Sequence, residues 1–223
     1  DRLQEIRKSK GGALYQLTYM CAPGAASGSL IRREWWRYYQ QRPAISRLVH
    51  SWDIATGKSS LGDNSAYGAW GVGPDGFYLL DAGKWRMDMD EFIRKAKLLY
   101  AAQVPQWVLM EDAGVGIPIV QWLQKNSALP IRPVKPGSRD KVMRLQGIVH
   151  LIEAGRVWLP ASAPWLEDFV DECAAFPGGQ YDDQVDQMSQ ALEFLEAQGG
   201  LKGPQGVATS GVGGNGHRGR HNG

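Results

Sequence analysis

The sequence predicts an α/β domain built on a mixed β-sheet, in which three antiparallel strands are followed by parallel strands and helices cover both faces. Two patterns support this prediction. Three apolar runs come first, and the last two are joined by the turn Gly73-Pro74-Asp75-Gly76, whose residue types are typical of a hairpin. From residue 89 onward, segments with helical spacing alternate with short apolar runs, as in sheets whose parallel strands are joined by helices.

The three antiparallel strands and the first helix have clear local signals. The run "VHSWDIA" predicts the first strand, and "NSAYGAWGVGPDGFYLLDAGKWRM" predicts two more around the turn. Asp88 precedes a run with apolar residues at helical spacing, and Glu91 follows three residues later. This arrangement predicts an N-terminal capping box and a helix over residues 89–103.

The second half of the chain consists of predicted strands alternating with predicted helices. "QWVLME" predicts a buried strand, "IRPVKP" a short strand and "RVWLP" a small one. Helices are predicted near residues 116–126, near 139–154 with Gly155 at the end, and from about 182 to 197. We expect Trp70, Trp85 and Trp107 to lie in the core, because aromatic residues in strands usually pack there.

One folded domain is expected between two irregular ends. Residues 1–46 mix polar, glycine-rich and aromatic stretches without a sustained period, and they are predicted to be a linker. Residues 47–198 carry the predicted strands and helices. Residues 199–223 are dominated by glycine and polar residues and are predicted to be a flexible tail. The first residue is Asp1 rather than methionine, so we expect further sequence upstream.

Composition argues against several classes of protein. Cys21 and Cys173 lie far apart, without the spacing of a zinc site or a disulfide framework, which favours a reducing compartment. No apolar run reaches the roughly 20 residues of a membrane span. The formal net charge is only +2, so DNA binding would need a local basic cluster. Gly57-Lys58-Ser59 does not complete an ATP-binding loop, because Trp52 occupies the position of its first glycine.

Acidic residues stand at the borders of three apolar elements. Asp53 lies inside the first strand, where a carboxylate is costly unless it is paired or holds a metal. Glu111 closes the strand "WVLME", at the end where α/β sheets gather ligands. Asp182 and Asp183 open the last helix, and Asp186 follows. This pattern predicts a metal site whose ligands are Asp53, Glu111 and the acidic pair. Asp186 is predicted to lie next to these ligands without binding the metal itself.

The phase of the last helix bears on which acid of the pair faces inward. Its apolar stripe is formed by Val185, Met188, Leu192 and Leu195. At about 100° per residue, Asp182 lies nearest that stripe while Asp183 points further out. Either acid alone could instead be an ordinary helix cap. Both therefore stay candidates for metal ligands.

Four motifs together resemble those of the C-terminal nuclease domain of the large terminase subunit of tailed double-stranded DNA phages, an RNase H-like fold. The motifs are "SWDIA", "VLMEDAGVG", "KPGSRDKVMRLQGIVHLIEAGRVWLP" and "FPGGQYDDQVDQMSQAL", in the family's order over roughly residues 45–197. Upstream, "IRREWWRYYQQRP" resembles the family's linker, which implies that residues 1–46 follow an ATPase motor. Gln187 departs from the family, which usually has alanine there; the position can face solvent, so the change does not count against the site.

The resemblance implies a metal-dependent endonuclease that cuts concatemeric double-stranded DNA during genome packaging, with little sequence specificity. Carried over by motif, Asp53 matches the first-strand aspartate, Glu111 the acid ending the fourth strand, and Asp182 and Asp183 the acidic pair. Carboxylates without histidine or cysteine partners favour Mg²⁺ or Mn²⁺ over zinc. Two such ions would support hydrolysis that leaves 5′-phosphate and 3′-hydroxyl ends.

The implied setting is the cytoplasm of an infected bacterial host. The implied partners are double-stranded DNA, the ATPase motor of the same subunit, the portal and the small terminase subunit, and no membrane is involved. Lys135, Arg139, Lys141 and Arg144 form a local basic cluster, and the family's segment matching Lys141 and Arg144 flanks its active site. We expect this cluster to contact DNA phosphates, although a solvated helix face would show the same pattern.

Two other functions remain open at the level of the sequence. The domain could be another RNase H-like nuclease, of the junction resolvase or transposase type, in which case four-way junctions would be cut in preference to plain duplex. It could instead be a non-catalytic module that docks on DNA or on the portal ring. Such a module would bind without cutting in Mg²⁺ or Mn²⁺.

Overall fold

The computed structural model describes residues 28–55, 64–135 and 140–199, and within these ranges a mixed sheet of seven strands carries helices on both faces. The strands are β1 (Arg37–Tyr39), β2 (Arg47–Asp53), β3 (Ser65–Val72), β4 (Phe77–Trp85), β5 (Trp107–Glu111), β6 (Ile131–Val134) and β7 (Val157–Pro160). The helices are α1 (Met89–Gln103), α2 (Gly116–Asn126), α3 (Lys141–Glu153), α4 (Leu166–Ala175) and α5 (Asp183–Ala197). The predicted α/β fold is confirmed.

The strand order across the sheet is β1-β7-β4-β3-β2-β5-β6. Strands β2, β3 and β4 pair antiparallel, as predicted, and a turn closed by the Gly73 N–H to Gly76 carbonyl hydrogen bond joins β3 to β4. Strand β2 also pairs in parallel with β5, and β5 with β6. The carboxyl ends of β2, β5 and β6 therefore meet at one edge of the sheet.

Side chains of β2 alternate between two cores on opposite faces of the sheet. Leu48 and Trp52 pack in the core that includes Phe92 of α1. Val49 packs in the other core, which α3, α4 and α5 cover, and this core contains the buried stripe of α5 predicted from the sequence. Asp53 follows Val49 by four residues, so it faces the side covered by α3 and α5.

The start of α1 shows the predicted capping box. The Asp88 carboxylate accepts the backbone N–H of Glu91 at 2.9 Å, and the Glu91 carboxylate accepts the backbone N–H of Asp88 at 2.9 Å. These two bonds satisfy amides that the first turn of a helix otherwise leaves unpaired.

We expect Asp88→Ala to lower the free energy of unfolding by about 1 kcal/mol, because an amide in the first turn loses its acceptor. Asp90→Ala is the matched control, since Asp90 is an exposed acid of the same turn outside the capping box. Urea denaturation of the two variants measures the difference. Equal destabilisation by both would mean that charge near the helix end, and not the hydrogen bond, matters here.

Two elements were not predicted from the sequence. Helix α4 is short and acidic on its outer side, and β1 has three residues that bond only to β7 at the sheet edge. Strand β1 lies inside the stretch predicted to be a linker, where Leu30, Ile31 and Trp36 are also buried in the core. The described part of that stretch thus packs on the domain, and its connection to an upstream motor stays a prediction.

Several expectations concern residues outside the described ranges. These expectations concern Cys21 and the rest of residues 1–27, the run Gly57-Lys58-Ser59, the side chain of Arg139, and the predicted tail beyond Gly199.

Of the tryptophans expected in the core, Trp70 is fully buried and Trp85 is half-buried. Trp107 was wrongly predicted, since it is 39% exposed at the start of β5 with Arg132 over its ring. Among described helices, none has the length and hydropathy to cross a membrane.

Candidate metal centre

The sheet places Asp53 and Glu111 side by side. Trp52 of β2 pairs with Met110 of β5 in parallel register, so the next residue on each strand, Asp53 or Glu111, lies level with the other at the shared edge. Glu111 follows Leu109 by two residues, and Leu109 belongs to the core on the α5 side. Both carboxylates therefore face the same side of the sheet.

Helix α5 brings the remaining acids to this edge. It lies against β2 and β3, and the Ser51 hydroxyl donates to the Gln187 carbonyl at 2.7 Å. Gln190 donates to the Ser51 hydroxyl at 2.9 Å from one turn further along the helix. These bonds fix the helix along β2, so that its first turn reaches the strand end that carries Asp53.

All five predicted acids line one cavity of about 340 Å³. The acids are Asp53, Glu111, Asp182, Asp183 and Asp186, and Lys141 and Arg144 complete the charged lining. The cavity opens at the carboxyl edge of the sheet, between the ends of β2 and β5 and the first turn of α5. Residues distant in the sequence thus converge in one polar pocket.

The ranking of the acidic pair by helix phase was wrong. Asp183 is buried, with 6% of its surface exposed, whereas the Asp182 side chain is 35% exposed. Asp182 is the N-cap of α5 and has φ −141° and ψ 7°, which are not helical angles. Because the 100° period applies only inside the helix, it could not be extended back to Asp182.

Lys141 and Arg144 are held inside the cavity by ion pairs. The Lys141 ammonium lies 2.7 Å from a carboxylate oxygen of Asp182 and 2.7 Å from one of Asp186. Arg144 approaches the other oxygen of Asp186 at 3.0 Å and an oxygen of Glu111 at 3.8 Å. Asp186 therefore pairs with both cations, with Lys141 through one carboxylate oxygen and with Arg144 through the other.

The other residues of the basic cluster lie away from these ion pairs or outside the described ranges. Lys135 is exposed just after β6. Arg139 falls in the segment 136–139, which the structure does not describe. Contact of the basic cluster with DNA phosphates stays a prediction.

Burial and crowding of carboxylates set the protonation of Asp53. Burial, followed by the negative charges of Asp186, Asp183 and Glu111 in that order, raises the pKa of Asp53 to about 8 against a smaller opposing effect of Lys141. Burial also raises the pKa of Asp186, while Lys141 and Arg144 oppose that shift. At neutral pH the cavity therefore favours a proton on Asp53 when no other cation compensates its charge.

The donor chemistry of the cavity fits a hard divalent cation. Every predicted ligand is a carboxylate, and hard cations such as Mg²⁺ and Mn²⁺ prefer oxygen ligands. As they stand, no three Asp, Glu, His or Cys side chains among the described residues form a ready metal-ligand set. Lys141 instead draws the carboxylates of Asp182 and Asp186 together. A metal ion bound by Asp182 or Asp186 would therefore compete with Lys141 for the same oxygens.

The loop after Glu111 lines the cavity, although Glu111 is the only residue of the motif "VLMEDAGVG" that was predicted to belong to the site. Ala113, Gly114 and Val115 line the pocket, and Gly114 has a positive φ of 50°. A Cβ at Gly116 would overlap the Glu111 carbonyl oxygen. Two glycines within five residues of a strand end are the local signal for such a close turn.

Gln187 was also wrongly predicted, because it does not face solvent. Its side chain is fully buried, and its amide oxygen accepts the indole N–H of Trp70 at 2.9 Å. Gly68 of β3 lies directly against it. The side chain of Gln187 therefore fills a space between α5 and the sheet.

Comparison with known families assigns the fold to a family. The model of the terminase RNase H-like domain matches residues 50–194. The chain belongs to this family. The resemblance described from its motifs is thereby confirmed, together with the RNase H-like fold. No curated protein matches the chain.

Solved structures of phage terminases share the fold of this RNase H-like domain at low sequence identity. The large terminase of one thermophilic bacteriophage superposes with a TM-score of 0.63 and 11% identity, over 87% of this chain and 52% of that one. The large terminase nuclease of another, the thermophilic phage G20c, gives a TM-score of 0.58 and 15% identity with bound magnesium, over 75% and 98%. Its cobalt-bound form gives 0.55 and 16%, over 75% and 97%. The chain thus spans about half the length of the first of these terminases.

Proposed function

We propose that this domain is a Mg²⁺- or Mn²⁺-dependent endonuclease of a large terminase subunit, which hydrolyses phosphodiester bonds of double-stranded DNA with little sequence specificity. The observation that carries the proposal is the convergence of Asp53, Glu111 and Asp183 in one cavity at the carboxyl edge of the sheet. Membership of the terminase RNase H-like family supports it. The magnesium and cobalt in the G20c nuclease also support a divalent ion here.

The three acids at the centre of the cavity are the proposed metal ligands. Asp53 would hold the ions together with Asp183 and Glu111. The negative charges of these two carboxylates add to burial and to the charge of Asp186 in raising the pKa of Asp53. Of the pair on α5, we assign Asp183 to the metal, since Asp182 is more exposed and is engaged by Lys141. When bound, two divalent ions supply Lewis acidity to the attacking water and to the leaving 3′ oxygen.

The chain's own cations are proposed to hold the DNA backbone. The Lys141 side chain is 47% exposed and lines the cavity, where it pairs with the partly exposed Asp182, so it can exchange a carboxylate partner for a phosphate. Arg144 is more buried and stays fixed by Asp186 and Glu111. Lys135 and Arg139 are proposed to contact the same DNA backbone. Such contacts fix the position of a duplex without reading its bases.

The larger assembly is proposed from the same family. Residues 1–46 would connect the domain, residues 47–198, to an ATPase motor upstream, and residues 199–223 would form a tail. The portal and the small terminase subunit are the proposed partners besides DNA, in the cytoplasm of an infected bacterium. Concatemeric DNA is the proposed substrate during genome packaging.

A plasmid-nicking assay tests the proposed activity. We expect the protein to nick and linearise supercoiled DNA in Mn²⁺ or Mg²⁺, with 5′-phosphate ends and without sequence preference, and to be inactive in EDTA. Binding without cutting in either metal would contradict the proposal and favour a docking module. Selective cutting of four-way junctions would favour a resolvase.

The role of the basic residues has a separate test. We expect Lys141→Gln to weaken duplex binding and to lower the slope of log affinity against log salt concentration by about 1, because one phosphate contact is lost. Lys125→Gln is the control, since Lys125 is exposed on α2, on the opposite face of the sheet. Fluorescence anisotropy between roughly 50 and 200 mM salt measures both slopes. An unchanged slope in Lys141→Gln would contradict the phosphate contact.

A further inference from the structure

Helix α5 is capped by a residue of another helix. Its N-cap residue, Asp182, makes no capping hydrogen bond with its side chain. Instead, the backbone N–H of Gln184 in the first turn donates to the Glu172 carboxylate of α4 at 2.6 Å. Glu172 is nearly fully buried, with 4% of its side chain exposed. A backbone amide in the first turn of α5 therefore has its hydrogen-bond acceptor on another helix, α4.

Glu172 is the centre of a group that we call the α5 clasp, formed by Lys84, Asp168, Glu172 and Gln184. The Lys84 ammonium lies 2.9 Å from Glu172 and 3.0 Å from Asp168. The side-chain amide of Gln184 donates to Asp168 at 3.0 Å and to Glu172 at 3.1 Å. The clasp thus ties β4, α4 and the first turn of α5 together.

The clasp lies directly behind the acidic cavity. Lys84 pairs with Ala66 across β3 and β4, and Ala66 pairs with Asp53 across β2 and β3. Lys84 is therefore level with Asp53, two strands away. On α5, Gln184 in the clasp is the immediate neighbour of Asp183 in the cavity. One turn of helix connects the two groups.

We propose that Glu172 is a positioning residue, which caps α5 from outside and so directs the acids at the start of the helix into the cavity. An aspartate at an N-cap ordinarily turns its carboxylate towards amides of its own first turn. Here the backbone of Asp182 is not in the extended conformation of such a cap, and its carboxylate pairs with Lys141. Without Glu172, the backbone amide of Gln184 would lose its acceptor, and the first turn of α5, which carries Asp183, would no longer be fixed at this point. The inference rests on the proposed metal-dependent nuclease activity.

A metal titration without DNA tests this inference. Thermal shift against Mn²⁺ concentration gives a midpoint for metal binding, separately from the melting temperature in EDTA. We expect Glu172→Ala to raise the Mn²⁺ midpoint about tenfold, the effect typical of residues that orient metal ligands. Glu172→Gln should raise it only about two- to threefold, because its amide oxygen can still accept the Gln184 N–H. Saturating Mn²⁺ should restore most of the cleavage rate of both variants.

A destabilising control separates positioning from general loss of stability. Ile152→Ala removes a fully buried side chain at the end of α3 far from the cavity lining, so it should lower the melting temperature without moving the Mn²⁺ midpoint. A Glu172→Ala midpoint equal to that of the wild type would overturn the proposal for Glu172 alone. If Glu172→Ala does not fold, an unchanged midpoint in Glu172→Gln decides against it. A wild type without any Mn²⁺ response would overturn both this inference and the proposed function.

Discussion

Replacing Asp53 with asparagine is expected to abolish DNA cleavage while making the metal-free domain more stable at pH 8. Burial and the neighbouring carboxylates raise the pKa of Asp53 to about 8, so an ionised Asp53 is unfavourable in the folded state. Asparagine has nearly the same shape and carries no charge. The loss of a proposed metal ligand should reduce cleavage by more than ~100-fold, since even residues that only orient ligands cost about 10–100-fold.

Asp53 makes the folded domain less stable as the pH rises. In the unfolded chain this aspartate ionises near pH 3.8, and in the folded state it holds its proton to higher pH. The folded state therefore binds more protons than the unfolded state between about pH 4 and pH 8, and stability falls as pH rises through that window. Asparagine does not ionise, so it does not contribute this pH dependence. The gain in free energy of unfolding from Asp53→Asn should therefore be absent near pH 4 and largest above pH 8.

Urea denaturation in EDTA at pH 5 and pH 8 measures this difference. We expect Asp53→Asn to gain several kcal/mol in free energy of unfolding at pH 8 and less at pH 5, since a rise of roughly four pKa units at about 1.4 kcal/mol each sets an upper bound of ~6 kcal/mol. Asp90→Asn, at an exposed position on α1, should show no such gain. A destabilised Asp53→Asn at pH 8 would contradict mutual repulsion in the cavity. Undiminished cleavage by the variant would remove Asp53 from the active site.

Asp53 and Glu111 could be located from the sequence because their signal is local. A carboxylate inside an apolar run is conspicuous, and strand periodicity determines the face on which it lies. The order of strands and helices then brings both acids to one edge of the sheet. The same local signals predicted the boundaries of α1 and α2 over residues 89–103 and 116–126. Capping residues and periodic apolar positions were sufficient for these elements.

The remaining parts of the site depend on packing that no local pattern encodes. Glu172 looks like an ordinary acid of an amphipathic helix, and only the fold places it at the first turn of α5. Helix phase ranked Asp182 and Asp183 wrongly because the helix begins between them. Gln187 follows Asp186 in the sequence, yet its side chain is enclosed by β3. A polar residue type predicts exposure, and tertiary contacts reverse that prediction here.

Gln187 and Gly68 are expected to depend on each other. A Cβ added at Gly68 would lie 2.5 Å from the indole nitrogen of Trp70 and 2.8 Å from the amide carbon of Gln187. Neither atom can move freely, because Trp70 is fully buried and donates to the amide oxygen of Gln187. The glutamine side chain thus requires glycine at position 68. A smaller residue at position 187 would remove the overlap with Gln187, while the overlap with Trp70 would remain.

We therefore expect Gly68→Ala to cost about 3 kcal/mol alone, at the upper end of overpacking effects, and about 2 kcal/mol in the Gln187→Ala background, where only the overlap with Trp70 remains. Gln187→Ala alone should cost about 1–2 kcal/mol, because the buried Trp70 N–H loses its acceptor. The coupling energy from urea denaturation of the four proteins should be about 1 kcal/mol. Gly71→Ala provides the control, since the three atoms nearest to its Cβ would all belong to the side chain of Ile45 and none to Gln187, so its effect should add to that of Gln187→Ala. Additive effects at Gly68 would mean that the sheet tolerates a methyl group there by moving as a whole, and that α5 is not locked to β3 by Gln187.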